Sequence, residues 1–203
     1  MAPVLVPPDR LERWVANFET RHGATTLRVG DGALQGVAED GSTFVARPPF
    51  ARAYDGPARP RELAAAARAP DDWGVLLVRK GGFAVARLAG GELTAHKIGQ
   101  RHVQGRTKAG GWSQQRFARR RANQAREAYE AAADHAARLL DGLTGPVVAG
   151  GDHAAVGEVL ADARLGALRV VEPWLAVPDP KRATLDRAIG DAQAVRVDVV
   201  NAG

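Results

Sequence analysis

The residues best suited to chemistry run from Gly105 to Phe117 and read Gly-Arg-Thr-Lys-Ala-Gly-Gly-Trp-Ser-Gln-Gln-Arg-Phe. The pair Gly110 and Gly111 lets the backbone take conformations closed to other residues and come close to a ligand. Arg106 and Lys108 beside it suit a polyanion. A glutamine amide both donates and accepts hydrogen bonds, so it can orient a water molecule while being too weak a base to deprotonate one. Together these residue types point to chemistry on RNA, performed by a loop.

The charge pattern agrees. The formal net charge is +5, but its distribution matters more than its total. From Leu93 to Arg126 there is no Asp or Glu, and that stretch carries nine cations: Lys97, Arg101, Arg106, Lys108, Arg116, Arg119, Arg120, Arg121 and Arg126. From Asp141 onward the balance reverses, with nine acids against six Lys or Arg. Focused positive charge strengthens and speeds association with polyanions. The plainer alternative is a solvated helix face beside a basic loop.

Composition sets the class. Of 203 residues 45% are hydrophobic and 25% charged, ordinary for a globular protein. The absence of cysteine excludes disulfides and thiolate metal sites. No run reaches the roughly 18 apolar residues of a membrane span. The N-terminal residues lack the basic and long apolar segments of a signal peptide, so a cytoplasmic protein without membrane partners is the expectation.

The elements that must position the loop follow from periodicity. Leu11, Trp14, Val15 and Phe18 predict an amphipathic helix with Asp9 as N-cap and Gly23 as its stop. Strands are predicted over 25–29, 34–38 and 43–46, then a Pro-rich loop over 47–60 and a short helix over 61–68. A second meander covers 75–79, 83–88 and 92–98, turning at Gly81-Gly82 and Gly90-Gly91. The basic loop spans 99–113. Neither Gly nor Pro interrupts 113–140, which predicts one long helix, with Ala128, Ala132, His135 and Leu139 on a stripe that packs on a sheet. Strands over 146–149, 168–171 and 194–200 alternate with helices over 154–162 and 180–189, a β-α-β-α-β pattern. The fold class is therefore α/β (α+β), a mixed sheet with a long basic helix after the loop. The domain reading is 1–60 as a helix and small β portion and 61–203 as the catalytic domain, or one continuous domain.

Other chemistry-bearing residues have plainer uses. His96, His102, His135 and His153 lack metal-ligand spacing. Gly150-Gly151-Asp152 precedes a helix but lacks the Lys and Ser/Thr of a P-loop, so Asp152 reads as a helix N-cap. Asp71 and Asp72 read as a turn. Trp112 stacks on a base or plugs the loop against its neighbours.

With these residues in view, the segment from His96 to Arg126 resembles the central domain of eukaryotic and archaeal class 1 translation release factors. There a basic loop carrying Gly-Gly-Gln precedes a long helix that starts Ser-x-x-Arg-Phe. Gly110, Gly111, Ser113, Arg116 and Phe117 keep that register, while Trp112 stands where those factors have glutamine. Gln114, two positions later, gives the Gly-x-x-Gln spacing similar to that of release-factor-like peptidyl-tRNA hydrolases of ribosome quality control, including the bacterial VLRF type.

The resemblance implies that Gln114 positions a water for attack on the ester joining a nascent peptide to the tRNA ribose, with Gln115 the nearest competitor. Backbone N–H groups near Gly110 and Gly111 would hold the oxyanion. Arg101, Arg106, Lys108, Arg116, Arg119, Arg120 and Arg121 would meet phosphates of peptidyl-tRNA or rRNA, though four arginines in six residues wrap the helix and cannot share one groove. No metal or cofactor is called for. A chain this short argues for rescue of stalled ribosomes or large subunits over codon-directed termination. Two alternatives stay open: a tRNA acceptor-end endonuclease with His96 or His102 as general base, and a non-catalytic ribosome- or RNA-binding protein.

Overall fold

The computed structural model describes residues 3–100 and 112–202, with backbone alone for Gln100 and for 112–124. In chain order the elements are β1 (Val4–Val6), α1 (Leu11–His22), β2 (Thr25–Gly30), β3 (Ala33–Ala38), β4 (Thr43–Arg47), α2 (Pro60–Ala66), β5 (Trp73–Arg79), β6 (Gly82–Ala89), β7 (Glu92–Gln100), α3 (Trp112–Leu139), β8 (Val147–Gly151), α4 (His153–Leu160), β9 (Val170–Leu175), α5 (Arg182–Gln193) and β10 (Val195–Val200). The chain divides into two compact units, residues 1–69 with 189–203, and residues 70–188.

The first unit is an antiparallel sheet in the order β1-β10-β4-β3-β2. Leu11, Val15 and Phe18 of α1 recur at helical spacing and are buried with Leu34, Phe44 and Ala46. Trp14 and Phe18 meet the Phe44 ring edge-on at 5.2 and 5.1 Å between centroids. Gly23 ends α1 with φ 90°, a left-handed conformation suited to glycine, and its N–H reaches the Glu19 carbonyl. Asp9 is not the N-cap. It sits inside a 3-10 turn, Pro8–Arg10, and Arg10 holds the cap position with no side-chain bond. Proline's fixed φ suits the first helical position, so helical backbone starts at Pro8 and carries Asp9 past the cap.

The last strand departs from the predicted β-α-β-α-β run. β10 forms, but between β1 and β4, pairing Val197 with Val4 and with Ala46. α2 also lies in the first unit, so the division falls after residue 69, beyond the Pro-rich stretch.

The second unit holds a mixed sheet ordered β7-β6-β5-β8-β9. β5, β6 and β7 form the antiparallel meander, and β8 and β9 add in parallel to β5. β5 is buried from Trp73 to Val78, as a continuous apolar run in a central strand requires. Ala132 and Ala136 of α3, Leu140 just past its end, and Val156 and Val159 of α4 pack with Leu76, Val78, Val85 and Val147. Alanines on α3 let the helix approach the sheet closely. Within the predicted stripe Ala128 and Ala132 are buried, while His135 and Leu139 are half-buried. β9 runs through Pro173 rather than stopping at Val171. It is an edge strand, where a missing N–H on the open side costs no ladder bond.

Candidate functional site

β7 runs parallel to β5, β8 and β9, so the C-terminal ends of four strands gather on one rim of the second sheet. The register shows it: Gln100 and Arg79 both oppose Gly82, Val78 opposes Gly151, and Gly150 opposes Leu175. The chain leaves β7 at this rim and re-enters as α3. Arg101, His102, Arg106, Lys108, Gly110 and Gly111 lie outside the described residues.

The helix α3 begins at Trp112, one residue ahead of the predicted start, and puts Ser113, Gln114, Gln115 and Arg116 on its first turns. Ala128 marks where α3 passes the rim, because it shares a cavity of about 200 Å³ with Gly82, Phe83 and Gly99. Toward the far end of the sheet, Leu140 lies against Gly74, the second residue of β5. The helix therefore runs from beyond the rim back across the sheet. Trp112 is sixteen residues ahead of Ala128, which is roughly 24 Å of helix. The N-terminal half of α3 is a rod projecting past the rim, with position 114 near its tip.

Helical phase sorts the backbone positions on that rod. Gln114 precedes Ala132 by eighteen residues, about five whole turns. Its Cα lies on the line that, further along, carries Ala132 to the sheet. Positions 116, 119 and 120 fall on the opposite side, and position 121 does not. The first N–H groups of any helix lack intrahelical acceptors and carry partial positive charge, here beside Gln114.

At the base of the rod, His135 and Arg138 lie on α3 beside the carboxylates Glu127, Glu130 and Asp134. His135 packs on Phe83 with ring centroids 5.6 Å apart. Arg138 donates to its Nδ1 at 2.8 Å, which leaves the ring proton on Nε2. Burial first, then the charges of Arg138 and Lys97, lower its pKa from the ordinary histidine value, against the opposing pull of Asp134. His96 Nε2 accepts from Arg182 Nη1 at 3.3 Å. Among the described residues no group of three or more His, Asp or Glu is arranged to hold a metal.

Two further features of the rim were not read in the sequence as belonging near the loop. Asp152 caps α4, accepting from the N–H of Ala154 at 3.0 Å and of Ala155 at 3.4 Å, as its position predicted. That cap sets His153 flat against Trp174, with centroids 3.6 Å apart and planes 13° from parallel. Lys80 stands exposed in the β5–β6 turn on the same rim. No sequence signal links His153 to Trp174, which lie in different elements brought together by the β8–β9 register. Asp71 and Asp72 do lie in a bend ahead of β5, and Asp72 also joins Arg87 in a two-pronged pair at 2.9 and 3.1 Å.

Among the described residues no helix is long and apolar enough to cross a membrane. No curated protein is similar enough to count as a match. The family model for the Actinobacteria/chloroflexi VLRF1 release factor matches residues 71–198, spanning the mixed sheet, the projecting helix and most of β10. With well over half of its length inside that match, the chain belongs to the Actinobacteria/chloroflexi VLRF1 release factor family.

Proposed function

We propose that this chain is a peptidyl-tRNA hydrolase that frees nascent peptides from tRNA on stalled ribosomes or large subunits. Membership of a release-factor family implies a ribosome-related release function. The finer reading rests chiefly on the projecting half of α3, which holds Gln114 near the end of a rod roughly 24 Å long. A reactive centre buried in RNA is reached by a narrow, basic extension and not by a globular face. The second unit, residues 70–188, carries this machinery, with the ribosome, peptidyl-tRNA and rRNA as its partners.

In the proposed reaction the Gln114 amide accepts a hydrogen bond from a water and directs its oxygen at the ester carbonyl carbon. The carbonyl oxygen takes up negative charge, which N–H groups at Gly110, Gly111 and the start of α3 stabilise. The bond to the ribose 3′ oxygen then breaks. The water's proton passes to that oxygen through the ribose hydroxyl or ribosomal groups, because glutamine is no base. Arg101, Arg106, Lys108, Arg116, Arg119, Arg120 and Arg121 hold phosphates, and Trp112 stacks on a base. Cleavage of tRNA is the weaker reading: it wants a general base, and His96 already has Nε2 occupied by Arg182.

The test is incubation with stalled large-subunit–peptidyl-tRNA complexes, with peptide and tRNA resolved on a gel. Free peptide with full-length tRNA, lost in Gln114→Ala, is the expected result. Shortened tRNA would establish the endonuclease instead. Binding without release by the wild type would overturn the catalytic reading.

A further inference from the structure

The first unit carries a groove that the release reading does not use. It lies between α1 and the edge strand β1 and consists of two adjoining cavities of about 370 and 560 Å³. Val4, Trp14 and Asn17 line both cavities, which makes them one continuous trough. Its floor is apolar: Phe18 and Val199 join Val4 and Trp14. Trp14 is fixed there by its contacts with Phe18 at 5.8 Å and Phe44 at 5.2 Å, so the floor is preformed.

Two observations indicate what the trough takes. First, β1 ends the sheet and, among the described residues, no strand pairs with its outer edge; Val4 to Pro7 line the trough, so backbone donors and acceptors border it. Val4 and Leu5 at this edge are 44% and 36% exposed, two of the five exposed large hydrophobics among the described residues. Second, cations of α1 and of its N-cap follow the trough. Arg10, Arg13 and Arg21 line it along with Asn17, and among the described residues no carboxylate does. His22, at its end, is already paired with Asp40 at 2.8 Å.

We propose that this trough binds an extended, acidic polypeptide segment, which adds as a strand to the open edge of β1. Strand addition supplies main-chain hydrogen bonds, and pockets for alternate side chains supply selectivity. Apolar side chains of the segment lie over Trp14 and Val4, and its carboxylates face Arg10, Arg13 and Arg21. An apolar floor beside an open strand edge suits a polypeptide better than an RNA backbone, which would seek phosphate contacts along the whole surface. The inference is independent of the release reading, because it concerns the other unit and requires no hydrolysis.

The test is panning of a random ten-residue peptide library on the full chain, with each selected peptide measured by fluorescence polarisation against wild type and Arg13→Glu/Arg21→Glu. Both substitutions fall on exposed helix positions, and a thermal melt confirms that the variant folds. The expected consensus alternates apolar residues with Asp or Glu, and charge reversal weakens those peptides by about tenfold or more. Wild-type amide shifts should move at Val4 and Leu5. A consensus without acidic bias, or peptides indifferent to the reversal, overturns the proposal. So does a single-stranded RNA oligomer that loses affinity on reversal while the selected peptides do not.

Discussion

Phe83 and Gly99 face each other across β6 and β7, and the Phe83 ring fills the space a side chain on Gly99 would need. The same ring supports His135 of α3. One residue past Gly99 the strand ends and the chain leaves the sheet, so this pair fixes both the exit of the loop and the seat of the projecting helix.

Gly99→Ala should therefore push Phe83 off its rotamer. Overpacking of this kind costs about 1–3 kcal/mol. The loss should appear as a lower midpoint in urea denaturation with an unchanged slope. Gly90→Ala is not an equivalent control, because Gly90 adopts φ 55°. Gly157→Ala, on an open face of α4, is the suitable comparison and should be neutral or stabilising.

At the opposite end of the second sheet, Asp72 clamps Arg87 and also accepts from the N–H and hydroxyl of Thr144, at 2.9 and 3.1 Å. The hydrogen bonds from Arg87 and then Thr144 hold its pKa below 3.8. A carboxylate depressed by folding stabilises the folded state above its unfolded pKa and loses that contribution as pH falls through the folded value. Wild type should thus be more stable than Asp72→Asn at pH 6, and the gap should shrink on acidification below 3.8. Thermal melts of both proteins between pH 6 and 2.5 measure it. A gap that stays constant with pH would show that the charge of Asp72 contributes nothing.

Gln114→Ala should lower single-turnover peptide release by about a hundredfold, the scale on which misplacing a reactant costs rate. Gln115→Ala should fall far less, because the two positions lie 100° apart on α3 and cannot aim at one point. Binding of both variants to large subunits should match wild type. Equal loss of release in both would assign the effect to the helix start and not to one amide.

Arg116→Ala and Arg119→Ala, on the side of the rod opposite Gln114 by helical phase, should weaken ribosome binding uniformly across tRNA species. Each should reduce the slope of log affinity against log salt by about 1 if it meets a phosphate. A slope identical to wild type would remove that residue from the RNA interface.

Local chemistry settled much of this protein in advance. The glycine-paired turns at Gly81 and Gly90, the Asp152 cap, the uninterrupted helix after Ser113 and the acid-free stretch from Leu93 to Arg126 are written in residue type and spacing. Those signals act between near neighbours, so a one-dimensional reading captures them. The partner of β10 was decided elsewhere. Its alternating valines fit the face of either sheet, since period-two burial specifies a face and never a neighbour. Only the assembled core put it against Ala46 and Val4. The same holds for His153 on Trp174, for Asp72 on Arg87, and for the reach of α3 past the rim. Each depends on where distant segments meet, and that is set by the packing of whole elements.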